Sequence, residues 1–356
     1  MKIYFINLFV LFTIFQTCRA VEPFIWQQSK DFAPIILPLK EGQTKKEAIA
    51  EYFQKMHSKK SVAPLLKQSE IQNLVVDGQL NYQLGETREF LPPSNQKPRF
   101  IVVTNELREL YSPPQGRRVA NVIKRLESMG AEVLVLPVMH DLTLNAKEGK
   151  EYRAKLVQSF DAQLVLGGAD IDPYLYGEEK TFARDVIRRR DVSELKFVRQ
   201  FIQTKRGMNF GICRGHQMCA VANHKKLIQD IQIEKDAPDI HLDGDHEITI
   251  DNKSEIFSIF DDKKIMVNSL HHQAVYVPDG DEDYKIIASS MDDSPIVEAI
   301  EFKNGMGVTL QFHPELMHNE TGEKILKRFV TLALKNAQKR ISSQPCVNLI
   351  KSFLYL

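Results

Sequence analysis

Between residues 99 and 213 the chain repeats one pattern, a short unbroken apolar run followed by a longer stretch of other character. The runs are "RFIVVTN" from Arg99, "EVLVLPV" from Glu132, "AQLVLGGADIDP" from Ala162 and "MNFGIC" from Met208. Helical period marks Gly116 to Met129 and "DVSELKFVRQFIQTKRG" from Asp191, where Asp191 reads as an N-cap and Glu194 as its capping-box partner. Strands without polar alternation are buried on both faces, so the pattern predicts an α/β domain around a largely parallel sheet.

Beyond Cys213 the spacing tightens. "HEITI", "KIMVNS", "KIIASS", "IVEAIEF" and "GVTLQFHPE" read as short strands separated by turn residues, and "GEKILKRFVTLALKNAQKR" as a closing amphipathic helix. Residues 21–97 read as an N-terminal extension holding one amphipathic helix within "PLKEGQTKKEAIAEYFQKMHSKK", and ending in the linker "FLPPSNQKP". The main domain is then 98–340, with an apolar C-terminal tail at 341–356. Residues 1–20, with Lys2, an apolar run from Ile3 to Phe15 and small residues at Cys18 and Ala20, read as a signal peptide. The run is shorter than the roughly 20 residues of a spanning helix. The expectation is an exported protein, periplasmic or secreted, without stable membrane association after cleavage; an uncleaved membrane anchor is the alternative.

A formal net charge of +1 over 356 residues provides no basic field for nucleic acid. The four cysteines are Cys18, Cys213, Cys219 and Cys346; removal of residues 1–20 leaves an odd number and no disulfide framework. Cys213 stands out because "GICRG" sets it between Gly211 and Gly215, at a strand end and a helix start. A nucleophile on a sharp strand-to-helix turn needs such neighbours, and the helix N-terminus favours the thiolate. A buried core cysteine is the plainer alternative. In "QFHPE", His313 ends another apolar strand and Glu315 follows across a proline, a base and an orienting carboxylate for a thiol. "GG" at Gly167 and Gly168 ends a third strand, where a backbone N–H can join that of Arg214 as an oxyanion hole.

In this order, "LGGADIDP", "GICRGHQ", "VNSLHHQAV" and "LQFHPE" resemble the class I glutamine amidotransferase-like family, and within it the gamma-glutamyl hydrolase branch typified by bacterial gamma-glutamyl-GABA hydrolase. The resemblance covers about residues 98–335 and makes 98–340 the catalytic domain. It implies a flavodoxin-like three-layer α/β sandwich, no cofactor, no metal, and a small gamma-glutamyl substrate; a homodimer is left open. By position, Cys213 resembles the family nucleophile, His313 its base and Glu315 its third member. Gly168 and Arg214 match the oxyanion-hole positions, and Gln217, His271 and His272 the substrate-binding ones. The chain departs from the family where "NHKKLIQDI" replaces the usual Gly-Gly-Thr-Leu turn. The expected activity is hydrolysis of a gamma-glutamyl amide through a Cys213 thioester. A glutaminase that delivers ammonia to a separate synthetase and a catalytically silent binding protein are the alternatives. The chain has no phosphate-binding loop of its own.

Overall fold

The structure, a computed structural model, describes residues 21–27, 34–58, 75–76, 79–80, 86–91, 97–104, 117–137 and 139–342. The signal peptide expected at 1–20 and the tail beyond Ser342 lie outside the described residues. No helix among the described residues is long and apolar enough to cross a membrane.

The apolar runs form strands β4 (Arg99–Val103), β5 (Glu132–Leu136), β6 (Ala162–Val165) and β7 (Met208–Ile212) once the three earlier strands of the same sheet are counted. Those three are β1 (Glu22–Gln27), β2 (Ile35–Leu39) and β3 (Glu86–Glu89). After β7 come β8 (Leu227–Ile228), β9 (Gly244–Ile250), β10 (Lys264–Ser269), β11 (Ala274–Val275), β12 (Tyr284–Ser290), β13 (Val297–Phe302) and β14 (Gly307–Leu310). The main sheet has the order β10-β9-β12-β13-β14-β7-β6-β4-β5-β2-β1-β3. From β14 to β2 the pairings are parallel, and both flanks are antiparallel. The predicted parallel sheet is therefore the centre of a mixed one.

The helices are α1 (Lys45–Ser58), α2 (Arg117–Ser128), α3 (Ala146–Gln158), α4 (Arg188–Thr204), α5 (Arg214–Ala222), α6 (Ile231–Lys235) and α7 (Glu320–Ser342). Strand alternation sorts them into two layers. Phe100, Val102, Val133 and Val135 face one core with α1, α2 and α7. Ile101, Val103, Leu134 and Leu136 face the other with α3, α4 and α5. Both faces of β4 and β5 are thus apolar, which is why their sequences show no alternation.

Three features differ from the sequence reading. Strands β1, β2 and β3, from the segment read as an extension, continue the main sheet, with β2 joining β5 at Ile35 and Val135. Helix α3 was not expected; Asn145 caps it through a reciprocal pair with Glu148. Helix α4 starts at Arg188, so Asp191 lies inside its first turn and does not cap it. Asp191 and Glu194 are instead buried and face Arg214.

Candidate active site

Strands β6, β7 and β14 are neighbours in the sheet and run parallel, so their carboxyl ends meet at one edge. That edge receives Gly167 and Gly168 after β6, Cys213 after β7 and His313 after β14. In open parallel sheets ligands bind at this end. The Cys213 N–H donates to Leu310 O at 2.8 Å, locking the end of β7 to that of β14.

Cys213 has φ 53° and ψ −114°, a conformation that costs an L-residue of order 1–3 kcal/mol and persists only where its surroundings enforce it. The two flanking glycines provide that enforcement. A Cβ at Gly211 would lie 2.6 Å from Gly215 O, and a Cβ at Gly215 only 1.9 Å from Val165 O. The turn therefore packs backbone against backbone, and α5 begins hard against β6. As the first residue of α5, Arg214 offers an N–H with no intrahelical acceptor.

His313 Nδ1 is 2.7 Å from Glu315 Oε1, and both side chains are buried. Burial disfavours the charged imidazole, but Glu315 and Cys213 outweigh it and hold the His313 pKa well above its ordinary value. Cys213 and His313 stand side by side at these strand ends. Gly167 lies against both: a Cβ there would be 3.1 Å from His313 Cε1 and 3.9 Å from Cys213 Sγ. Gly168 follows with φ 153°. The expected nucleophile, base, orienting acid and Gly-Gly loop are thus brought together.

The His313-Pro314-Glu315 turn is held by residues that sequence reasoning missed. Asn268, near the end of β10, accepts from His313 N–H at 2.9 Å and donates to His313 O at 3.1 Å. Arg125 of α2 donates to Pro314 O and Glu315 O at 3.2 and 2.9 Å. The position of Asn268 in "VNSLHHQAV" was the available signal. Asn268→Ala is expected to lower kcat about tenfold to a hundredfold by loosening His313, with little change in KM. Steady-state kinetics on the folded variant check this; an unchanged kcat would show that the pair does not place the ring.

The Arg214 side chain is buried between Asp191 at 2.6 Å and Glu194 at 2.8 Å, with Arg190 3.3 Å from the same Asp191 oxygen. The other Asp191 oxygen accepts from Asp172 N–H at 3.1 Å. One carboxylate therefore ties the first residue of α5 to the loop that follows Gly168.

The expected substrate-binding residues separate into two groups. Gln217 is buried, and its amide nitrogen donates to Gln273 O at 3.1 Å and Gln311 Oε1 at 3.3 Å, so only its carbonyl oxygen is left for a ligand. His272 reaches Asp170, just beyond the Gly-Gly loop, at 2.9 Å, and Asp230 at 3.4 Å. Burial opposes its charged form, yet these carboxylates raise its pKa. Arg184 pairs with Asp230 at 2.8 Å, so groups of both signs stand beside that loop. His271 is directed instead to Gln273 O and to Glu298. In the turn where the family has Gly-Gly, His224 adopts φ 62°, a left-handed conformation in which histidine is enriched among non-glycine residues. Cys219, fully buried in α5, has its thiol pKa pushed up by burial and by Glu194.

The chain is similar to several known proteins. Residues 113–315 match the model of the Peptidase C26 family. The chain is 33% identical over 199 residues to the glutamine amidotransferase-like protein YvdE of Lactococcus lactis subsp. lactis, covering 53% of this chain and 76% of that protein. It is 38% identical over 121 residues to the glutamine-hydrolyzing GMP synthase of Clostridium novyi, covering 34% of this chain but 21% of that enzyme. A solved structure, the glutaminase domain of Trypanosoma brucei CTPS with bound acivicin, aligns over 68% of this chain and 94% of that one, with 16% identity and a TM-score of 0.48. The chain belongs to the Peptidase C26 family, within the class I glutamine amidotransferase-like hydrolases.

Proposed function

We propose that the protein hydrolyses gamma-glutamyl amides through a thioester on Cys213. One observation carries the reading: a cysteine held in a strained elbow stands beside a buried His313–Glu315 pair, on neighbouring strand ends. A protonated His313 stabilises negative charge on the adjacent sulfur. The sulfur attacks the gamma-carbonyl carbon, and the oxygen takes up negative charge facing the N–H groups of Gly168 and Arg214. As the tetrahedral species collapses, the C–N bond breaks and the His313 proton passes to the departing amine. Water then attacks the thioester, His313 takes its proton, and glutamate leaves with the thiolate restored. His272 with Asp170, Asp230 and Arg184 provides both charge signs for the amino and carboxylate groups at the alpha carbon of the glutamyl moiety.

Glutamine is itself a gamma-glutamyl amide, so release of ammonia is the same chemistry on the smallest leaving group. Product analysis by mass spectrometry over a panel of gamma-glutamyl-GABA, a gamma-glutamyl dipeptide, a polyglutamate and glutamine tests the reading. Free glutamate plus the matching amine is the expected result, with an amine larger than ammonia turned over best. Turnover of glutamine alone would favour the ammonia-delivering alternative, and no turnover of any member the binding-protein one.

Glu315→Gln is expected to cost less than His313→Ala, since the amide still accepts from Nδ1–H but no longer stabilises the imidazolium. Because Glu315 raises the His313 pKa, the charged ring survives to higher pH in the wild type and is lost as pH rises through that raised value. The alkaline limb of kcat/KM should therefore move to lower pH in Glu315→Gln. An unmoved limb, measured on the folded variant, would separate that limb from His313.

A further inference from the structure

Glu298 on β13 has a fully buried side chain, and three imidazole nitrogens converge on its Oε1 atom. His246 Nε2 lies at 3.3 Å, His241 Nδ1 at 3.7 Å and His271 Nε2 at 3.7 Å. None of these approaches has hydrogen-bond geometry, and both Glu298 carboxylate oxygens are buried without a hydrogen-bond partner. The rings are packed together, with centroids of His241 and His246 4.6 Å apart and those of His241 and His271 5.3 Å apart.

The hydrogen bonds on the far sides of two rings fix where their protons sit. His241 Nε2 is 2.7 Å from Asp292 Oδ2, and His271 Nδ1 is 3.0 Å from Gln273 O. A carboxylate and a carbonyl only accept, so each of those nitrogens carries hydrogen. In the neutral rings His241 Nδ1 and His271 Nε2 then present lone pairs to a carboxylate lone pair, inside the protein. Leaving such groups buried and unpaired is costly. A cation bound among them offsets that cost.

The spacing fits that cation. Two donors bound at about 2.0–2.1 Å and set tetrahedrally are about 3.3 Å apart, close to the observed approaches. The donor atoms of His241, His246 and Glu298 all lie within 4.8 Å of one another. The Asp292–His241 bond is the kind of outer partner that orients a metal-binding imidazole. We propose that His241, His246 and Glu298 bind one divalent transition-metal ion, zinc by donor type, with His271 packed beside the site. Two imidazoles and a carboxylate in a buried set favour zinc over calcium or magnesium. The reading from sequence expected no metal; the three residues are spread from 241 to 298, and only the fold brings them together.

The site adjoins the candidate active site through the end of β10 and the segment that follows it. His271 follows Leu270, whose carbonyl oxygen is 3.9 Å from Cys213 Sγ, and Asn268 of the same segment holds His313. The ion would join β9 to β13 beside this segment, a positioning role distinct from catalysis.

The test is elemental analysis of the full chain purified without chelator or polyhistidine tag, in a Cys213→Ala background that removes the thiol as a competing ligand. About one zinc per chain is expected, lost in His246→Ala and in Glu298→Gln. Cobalt added to stripped protein should give tetrahedral visible bands that those variants lack. If the variants fail to fold, Asp292→Asn should still weaken zinc affinity about tenfold to a hundredfold, and chelation should lower the wild-type melting temperature reversibly. Stripped protein that takes up neither zinc nor cobalt, or uptake that His246→Ala and Glu298→Gln leave unchanged, would overturn the site.

Discussion

Cys213→Ala is expected to abolish turnover of gamma-glutamyl amides while the protein stays folded. Loss of a nucleophile that works as a unit with its base costs on the order of 10⁴ to 10⁶ in kcat, because no neighbouring group can form the covalent intermediate. The fold should survive because the substitution removes one sulfur atom and alters neither glycine of the elbow. Alanine inherits the φ of 53° that the packing of Gly211 on Gly215 and of Gly215 on Val165 already enforces. Cys219→Ala makes the opposite case. Its thiol is buried inside α5, so removal leaves a small cavity and costs about 1–2 kcal/mol of stability with kcat retained. Steady-state kinetics together with thermal unfolding separate the two. More than a few per cent of wild-type activity in Cys213→Ala would remove the thiol from the reaction.

Arg214→Met is expected to lower stability by about 3–5 kcal/mol, the cost of stripping one partner from buried charges. Asp191 and Glu194 have almost no exposure and would keep, among the described residues, only Arg190 as a nearby cation. Asp191 would still accept from Asp172 N–H, so strain would pass into the loop beyond Gly168 and activity should fall as well. Adding Glu194→Met should recover part of the loss, since residues sharing one network do not behave additively. Urea denaturation measures both effects. A cost below about 1 kcal/mol, typical of solvated pairs, would mean that water reaches the cluster.

Much of this architecture was legible in the sequence because the central strands are buried on both faces. Continuous Val, Ile and Leu leave no alternation to misread, and the ends of β6, β7 and β14 were marked by Gly-Gly, Cys and His-Pro-Glu. Where tertiary contact overrides local pattern, the reading failed. Asp191 and Glu194, three residues apart on α4, suit a capping pair as well as a buried clamp, and only the position of Arg214 decides between them. In α3, "AKEGKEYRAKLVQ", a glycine and few apolar residues hide the helix; Tyr152, Leu156 and Val157 are its buried apolar face. "EPFIWQ" and "IILPL" each contain a proline, which demotes a strand in isolation, yet β1 and β2 pair along the sheet. His271 and His272 look alike in "SLHHQ", but one turns to Glu298 and the other to Asp170.

A covalent thioester on one named sulfur is the most direct prediction of the proposed chemistry. The enzyme would be mixed with a slow gamma-glutamyl anilide, quenched in acid within the first turnover, and digested for peptide mass spectrometry. The account predicts a glutamyl adduct on the peptide carrying Cys213, sensitive to hydroxylamine and absent from Cys213→Ala. Product formation without any adduct on Cys213, or an adduct that persists in Cys213→Ala, would contradict it.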